Sequence, residues 1–257
     1  MKIAFHLNCL EQGGAERVVS NLANQFAEDG DEVYILTEWK AENEFRISDK
    51  VKRVHVGLKP EDDKKGRITK FLLRIRYLHR FMKQEKPDVV HICTPHYLHV
   101  PMAIYSLERN INVFMEKPPA ISFDQLEELK KAAAKSEAQL GFCYQNRYNA
   151  SIRAAKDLID SGKAGKVLGA RAFVTWCRGA AYYTESGWRG SLKTEGGGVL
   201  INQSVHTQDL LCFLLGDPTT VDATMTNHHL KNVIEVEDTL EAYIDFNGVH
   251  ASFYATT

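Results

Sequence analysis

The chain has 257 residues, of which 44% are hydrophobic and 25% are charged, and its formal net charge at pH 7 is -1. These values are typical of a globular protein with one large or two modest domains, and they exclude a strongly basic nucleic-acid surface. No apolar run approaches the ~18 residues that a membrane helix needs. Five cysteines without a CxxC pair indicate reduced thiols, so we expect a cytoplasmic protein with no membrane partner.

The first part of the chain, residues 1–145, alternates between strand-like and helical patterns. Strands are expected at "KIAFHLN", "DEVYILT", "VKRVHV", "PDVVHIC", "INVFMEK" and "QLGFCYQN". Helical patterns lie between most of them, and in the last of these Ser122 is followed three residues later by Gln125, as in a capping box. This alternation predicts an α/β fold with a Rossmann-like, doubly wound parallel sheet.

The second part, residues 146–257, follows a different pattern. One helix is expected at "ASIRAAKDLIDSGKAGK", and strands at "VLGARAFVTWCRG", "PTTVDATMT", "EDTLEAYIDF" and "GVHASFYATT". The "FNG" turn between the last two is a hairpin signal. We therefore expect an α+β domain with an open, mainly antiparallel sheet. Because the chain stops inside a strand-like run, we expect this domain to be incomplete, or truncated.

Two motifs contain candidate catalytic side chains. In "MEKPPA", Lys117 follows a predicted parallel strand, at the sheet edge where open α/β folds bind ligands. In "EGGGVLINQSVHTQDLL", Asn202, His206 and Asp209 are spaced to share one face of a helix. We interpret the glycines as positions where the backbone approaches a ligand closely and turns into this helix. The alternative is a glycine turn before an ordinary polar helix face.

From about Pro87 onward the sequence resembles the Gfo/Idh/MocA family of NAD(P)-dependent oxidoreductases, which act mostly on sugars and cyclitols. The matching stretches are "DVVHICTPHYLHVPMAIYSLERNINVFMEKPPA", "GFCYQNRYN", "GWRG", "EGGGVLINQSVHTQDLL" and "VEDTLEAYIDFNG", in the family's order and spacing. The resemblance implies hydride transfer between NAD or NADP and a sugar or cyclitol alcohol or ketone. It also implies a second domain that binds substrate and pairs with a second copy through its open sheet.

The resemblance assigns site residues as well. Lys117 and His206 are implied to be catalytic, together with Asn202, which stands where many family members have an aspartate. An amide orients a hydroxyl but cannot act as a base, so proton transfer would rest on His206 assisted by Lys117. Arg147 is either a substrate-side residue beside these three or a strand-end packing residue. The cofactor-side residues are implied to be Thr94, Pro95, His99, Glu116, Lys117, Trp188 and Arg189.

Residues 1 to about 90 resemble a different family, the N-terminal domain of a group-4 GT-B glycosyltransferase. The resemblance lies in "MKIAFHLNCLEQGGAERVVSNLANQFAEDGDEVYILT" and its Gly-Gly-Ala-Glu-Arg turn. The chain therefore looks like a fusion, glycosyltransferase-like over 1–90 and oxidoreductase-like over 88–145, with the seam near "KPDVVHIC". The first turn lacks the GxGxxG fingerprint, but Gly13 and Gly14 can still present backbone N–H groups to a phosphate, and Glu38 could reach a ribose.

Three functions remain open at this point. They are an NAD(P)-dependent oxidoreductase, a non-catalytic fusion or fragment, and a glycosyltransferase-type protein that binds a nucleotide-sugar. Binding of a nicotinamide dinucleotide separates the first from the other two. We expect no metal, because the spacing of His91, His96 and His99, and of the pair His228 and His229, matches no zinc pattern.

Overall fold

The structure is a computed structural model that describes residues 1–11, 14–59 and 67–257. The strands of the described chain are β1 Lys2–Leu7, β2 Glu32–Thr37, β3 Lys52–His55, β4 Val89–Ile92, β5 Asn112–Met115, β6 Leu140–Phe142, β7 Gly169–Thr175, β8 Thr220–Thr226, β9 Thr239–Phe246 and β10 Val249–Thr256. The helices are α1 Gly14–Glu28, α2 Arg67–Glu85, α3 His96–Leu107, α4 Phe123–Lys135, α5 Ala150–Asp160, α6 Ala180–Thr184 and α7 Val205–Leu215, with a short 3-10 helix at Gln145–Tyr148.

One compact unit is formed by residues 1–94, 98–116 and 127–142. Its six strands are all parallel and lie in the order β3-β2-β1-β4-β5-β6. The predicted doubly wound Rossmann-like sheet is therefore confirmed. The strand order reverses between β1 and β4, and the crevice at the carboxyl ends of these two strands is where open α/β sheets bind ligands.

The apolar runs of the sequence explain this sheet. All of β2 after Glu32 is buried, and so is β1 after Lys2, as expected for parallel strands that are covered on both faces. Helix α1 is amphipathic, and its buried Val19 and Ala23 pack against Phe5 and Ile35 of the sheet.

A second compact unit is formed by residues 95–97, 117–126 and 143–257. Its four strands lie in the order β7-β10-β9-β8, with β7 parallel to β10 and the other two pairs antiparallel. The predicted hairpin turn is confirmed, since Asn247 and Gly248 both have positive φ. The predicted helix cap is also present, because Ser122 Oγ accepts the Gln125 N–H at 3.2 Å.

The helix predicted for the glycine-rich motif begins later than expected. Helix α7 starts at Val205, so His206 and Asp209 lie on it while Asn202 lies in the turn before it. The prediction that all three side chains share one helix face is wrong for Asn202. The Ser204 N–H donates to the Val199 carbonyl, five residues back, and not to Leu200 as a helix requires. The Leu200 carbonyl accepts from the Ser204 hydroxyl and from Gln208 Nε2, so the helical hydrogen-bond pattern is interrupted before Val205.

Two expectations drawn from composition can be compared with the structure. No disulfide joins any of the five cysteines, all of which lie in the described part of the chain; Cys9 and Cys143 are buried and Cys177 is exposed. Among the described residues, no helix combines the length and the apolar character that crossing a bilayer requires.

Two histidines are buried in the first unit without the usual hydrogen bonds. Neither ring nitrogen of His6 has a hydrogen-bond partner in the described chain, and the same holds for Nε2 of His91. Burial lowers the pKa of each to about 4. Both imidazoles are therefore neutral in the folded protein at neutral pH.

We expect acid to destabilise the chain through these two side chains. An unfolded histidine has a pKa near 6.5, so the unfolded chain binds protons first as the pH falls. The free energy of unfolding should fall between about pH 6.5 and pH 4, by on the order of 3 kcal/mol per histidine. Urea unfolding across this range should show a smaller loss for His6→Leu than for the native chain. The control His55→Leu, at an exposed position of β3, should keep the full pH dependence, and identical slopes in all three would contradict the assignment.

Candidate active site

Lys117 and Asn202, both predicted site residues, are brought together in the second unit. The Lys117 Nζ donates to the backbone oxygen of Asn202 at 2.9 Å and to its side-chain Oδ1 at 3.2 Å. Lys117 follows the end of β5 closely, as predicted. Two oxygens of one residue thus hold the ammonium in place. Charge-assisted hydrogen bonds of this kind are among the stronger ones in proteins.

The glycine turn before Asn202 packs closely against two other segments of the same unit. A Cβ on Gly196, which has φ +89°, would lie 2.5 Å from the Ile121 Cβ, and one on Gly198 would lie 1.8 Å from the Glu237 carbonyl oxygen. The Glu237 carboxylate also accepts the N–H groups of Gly198 and Leu200, each at 2.9 Å. Close approach to protein backbone therefore explains these two glycines.

Glu195 is a site residue that sequence reasoning missed. Its side chain is fully buried, and its two carboxylate oxygens accept the N–H of Gly190 and the Nδ2–H of Asn202. Burial raises the pKa of Glu195, and the hydrogen bonds from Gly190 and Asn202 oppose that rise. The only signal in the sequence was an acidic residue directly before three glycines, and no periodicity marks a buried position in a turn.

His206 is the second residue of α7 and provides a neutral imidazole. Its ring makes an edge-on contact with Tyr144 at 6.2 Å between centroids, and Nδ1 is buried without a hydrogen-bond partner in the described chain. Burial lowers the pKa of His206, and the charge of Lys117 lowers it further, while Asp209 acts in the opposite direction. A neutral imidazole beside a lysine is suited to accept a proton.

Arg147 is engaged by Asp209 in this structure. Its Nε donates to Asp209 Oδ2 at 2.7 Å and its terminal nitrogen donates to the other carboxylate oxygen, so the pair is bidentate. This ion pair raises the pKa of Arg147. The guanidinium also lies over the rings of Tyr144 and Phe213, with its central carbon 5.6 and 5.1 Å from the two ring centroids. Arg147 therefore anchors the Asp209 side of α7, and direct substrate contact stays a prediction.

The "GWRG" stretch lies beside the same turn. His96 Nδ1 is 2.9 Å from the Glu195 carbonyl oxygen, and its ring packs on Trp188 with centroids 4.7 Å apart. The Arg189 guanidinium lies over the Tyr182 ring at 4.3 Å and over the Trp188 ring at 4.7 Å. Trp188 and Arg189 thus belong to the second unit, as does the predicted cofactor residue Pro95.

Four other predicted cofactor residues lie in the first unit. Thr94 follows β4, Glu116 follows β5, and Gly14 opens α1. The His99 ring is buried, and its Nε2 contacts the Thr94 carbonyl oxygen at 2.8 Å, so it shapes the loop after β4. Gly13 lies outside the described residues.

The first unit has features that fit a dinucleotide despite the missing fingerprint. The N-terminus of α1 lies after the carboxyl end of β1, and a Cβ added to Gly14 would meet no atom of the described residues within 4 Å. Exposed N–H groups at such a helix start attract phosphate. Glu38 directly follows β2, where acidic residues bind a ribose. Glu16 in the first turn of α1 adds a negative charge that weakens phosphate binding there.

One group of potential metal ligands is present among the described residues. His91, Cys93 and Glu116 each offer a ligand atom, and the three atoms lie within 4.8 Å of one another. They come from the ends of neighbouring strands, so sequence spacing could not reveal the group. The His91 ring also packs against the rings of Phe5 and Phe114, with centroid-to-centroid distances of 5.4 and 4.9 Å. The absence of a metal stays a prediction.

Two protein-family models match the chain. "Oxidoreductase family, NAD-binding Rossmann fold" matches residues 40–144, and "GFO/IDH/MocA C-terminal domain" matches residues 152–257. The chain belongs to the Gfo/Idh/MocA family of oxidoreductases. The predicted membership of the Gfo/Idh/MocA family is therefore confirmed. The family match begins at residue 40 and so includes part of the region that resembles a glycosyltransferase.

Curated relatives in the family include two carbohydrate enzymes. D-glucoside 3-dehydrogenase of Escherichia coli (strain K12) is 29% identical over 135 residues, 52% of this chain and 37% of the relative. 1,5-Anhydro-D-fructose reductase of Ensifer adhaerens is 29% identical over 170 residues, 65% of this chain and 50% of the relative. The chain thus spans half or less of the length of these relatives.

A solved structure in the family extends the similarity to the whole chain. The WlbA dehydrogenase from Bordetella pertussis, in complex with NADH and UDP-GlcNAcA, superposes with a TM-score of 0.73 and 26% identity. The alignment covers 100% of this chain and 71% of that protein. The fold of both units is therefore that of a family dehydrogenase.

Gly198→Ala should destabilise the second unit. The added methyl group would overlap the Glu237 carbonyl oxygen, so the turn must move. We expect a loss of about 1–3 kcal/mol or more in the free energy of unfolding, measured by urea denaturation. Gly179→Ala is the matched control, because a Cβ there meets nothing within 4 Å and φ is -75°. Equal effects of both changes would contradict the packing explanation.

Lys117→Met should raise the pKa of His206, because a positive charge that disfavours the imidazolium is removed. The measurement is a proton NMR titration of the His206 ring. Lys163→Met, at an exposed position, is the control and should leave the titration unchanged. If Lys117→Met also leaves it unchanged, the two side chains do not interact as described.

Proposed function

We propose that the chain carries the active site of an NAD(P)-dependent oxidoreductase acting on a sugar-like or cyclitol alcohol, or on the matching ketone. The observation that carries this proposal is the Lys117 ammonium held by Asn202, together with His206, whose pKa is lowered by burial and by Lys117. Family membership supports the reaction type, and the names of the carbohydrate-active relatives support the substrate class.

The side chains divide the chemistry between proton transfer and positioning. In oxidation, the alcohol carbon loses a hydride and its hydroxyl loses a proton. Lys117 holds the substrate oxygen by a hydrogen bond, and neutral His206 accepts the hydroxyl proton. In reduction, His206 returns that proton. Asn202 accepts hydrogen bonds from Lys117 through its two oxygens and donates one from Nδ2 to Glu195. Its role in this proposal is therefore to orient the lysine and not to contact the substrate.

A bound nicotinamide dinucleotide supplies or takes up the hydride. We assign its phosphate-binding end to the start of α1 at Gly14 and its ribose contacts to Glu38. For the nicotinamide end we propose the family positions Thr94, Pro95, Glu116, Trp188 and Arg189. The position of the α1 N-terminus after β1 and the Rossmann strand order support this assignment.

Two further parts of the assignment are proposals as well. A homo-oligomer through the open sheet is supported by Phe173, Tyr243 and Tyr254, which are exposed on one face of β7, β9 and β10. A glycosyltransferase-like origin of residues 1–90, and hence a fusion, is supported by the Gly-Gly-Ala-Glu-Arg sequence at residues 13–17, most of which forms the start of α1.

The decisive test is titration of the purified chain with NADH and NADPH, followed by energy transfer from tryptophan to nicotinamide. We expect saturable binding, and hydride transfer on at least one member of a sugar and cyclitol panel. His206→Gln should lower kcat by about 10²- to 10⁴-fold while the chain still binds NADH. His228→Gln, at an exposed position between β8 and β9, is the matched control.

A folded chain that binds neither dinucleotide would refute the oxidoreductase proposal for this molecule. Binding of a UDP-sugar in its place would favour the glycosyltransferase-type function. Binding of neither ligand would leave the non-catalytic fragment as the better description.

A further inference from the structure

A buried carboxylate lies behind the Lys117–Asn202 pair and has no role in the proposed proton transfer. Glu195 is fully buried, and each of its carboxylate oxygens receives one N–H donor, from Gly190 and from Asn202 Nδ2. Its own backbone is also held, because its carbonyl contacts His96 Nδ1 at 2.9 Å and its N–H donates to the Ser191 carbonyl at 2.8 Å. The carboxylate is therefore fixed in place.

The orientation of the Asn202 amide follows from its two neighbours. An ammonium can only donate hydrogen bonds. An amide beside Lys117 must therefore direct its oxygen to the lysine, which leaves its nitrogen to donate to Glu195. The observed contacts have this arrangement. Tyr182, the other partner of Nδ2, lies at 3.4 Å and is a weaker contact.

We propose that Glu195 is a positioning residue that fixes the Asn202 amide and, through it, the place of the Lys117 ammonium. The importance of this chain of hydrogen bonds for catalysis rests on the proposed function, whereas the hydrogen bonds themselves rest on geometry alone. Glu195 acts through Asn202 and touches neither substrate nor cofactor in this account.

Glutamine cannot replace Glu195 without a conflict. The Gly190 N–H needs an acceptor, and a glutamine that turns its only oxygen to Gly190 presents its NH₂ group to Asn202. Asn202 must then either lose this hydrogen bond or flip, and a flipped amide points its NH₂ group at Lys117. Asn202→Asp creates the opposite conflict, since two carboxylates would face each other.

The two conflicts cancel in the double variant. In E195Q/N202D, the glutamine oxygen accepts from Gly190 and its NH₂ group donates to the new carboxylate, whose second oxygen accepts from Lys117. We therefore expect each single variant to lose about tenfold or more in kcat, and the double variant to recover most of that loss. E185Q makes the same chemical change at an exposed position and is the control.

A second readout does not depend on activity. Lys117 reactivity is measured by trace labelling with acetic anhydride and mass spectrometry of its peptide, with thermal unfolding of every variant recorded in parallel. We expect faster labelling of Lys117 in E195Q and labelling at the native rate in E185Q. In N202D and in the double variant a carboxylate beside the ammonium favours its charged, unreactive form, so labelling should be no faster than in the native chain. In the native chain, the Asn202 side-chain NH₂ should exchange slowly with solvent by NMR, a measurement that needs no variant to fold.

The outcomes separate the two proposals. Faster labelling of Lys117 in E195Q, with no NADH binding by the native chain, would support the positioning role and refute the oxidoreductase function. Native-like labelling and kcat in E195Q would overturn the positioning role. Additive losses in the double variant, or fast exchange of the Asn202 NH₂ in the native chain, would overturn it as well.

Discussion

The contact between Gly198 and the backbone of Glu237 is the constraint on which the candidate site depends. No side chain fits between them, and the Glu237 carboxylate binds the N–H groups on either side of Val199. This contact fixes the turn that contains Asn202, whose oxygens accept from Lys117. Helix α7 begins at Val205 and carries His206. A half-buried acid and a close backbone contact thus stabilise the centre of a site whose chemical groups belong to other residues.

Much of the fold could be predicted because the signals were local. The apolar runs of β1 and β2, the Ser122 cap and the Asn247–Gly248 turn each follow from a few neighbouring residues. The pairing of Lys117 with Asn202 came from family resemblance, since 85 positions separate them and no periodicity links them.

The rest could not be predicted because it depends on contacts between distant parts of the chain. Helical spacing put Asn202 on the α7 face, but the Ser204 N–H bonds to the Val199 carbonyl, five residues back, and the regular helix begins only at Val205. Glu195 looked like an ordinary loop acid, and only the fold shows that it is buried against Gly190 and Asn202. The parallel pairing of β7 with β10 was equally hidden, because strand patterns do not reveal partners.

The strand order of the first sheet has a consequence for folding. Ile3 pairs with Val89, so the central strand β1 gains its second neighbour only after the chain has been made as far as β4. Until then β1 has only β2 beside it, and one edge of an apolar strand remains open. Closing such a long loop costs entropy before the contacts that repay it can form, which slows folding. Until β4 has been made, the open edge of β1 can pair with other chains, so this stage of synthesis is prone to aggregation.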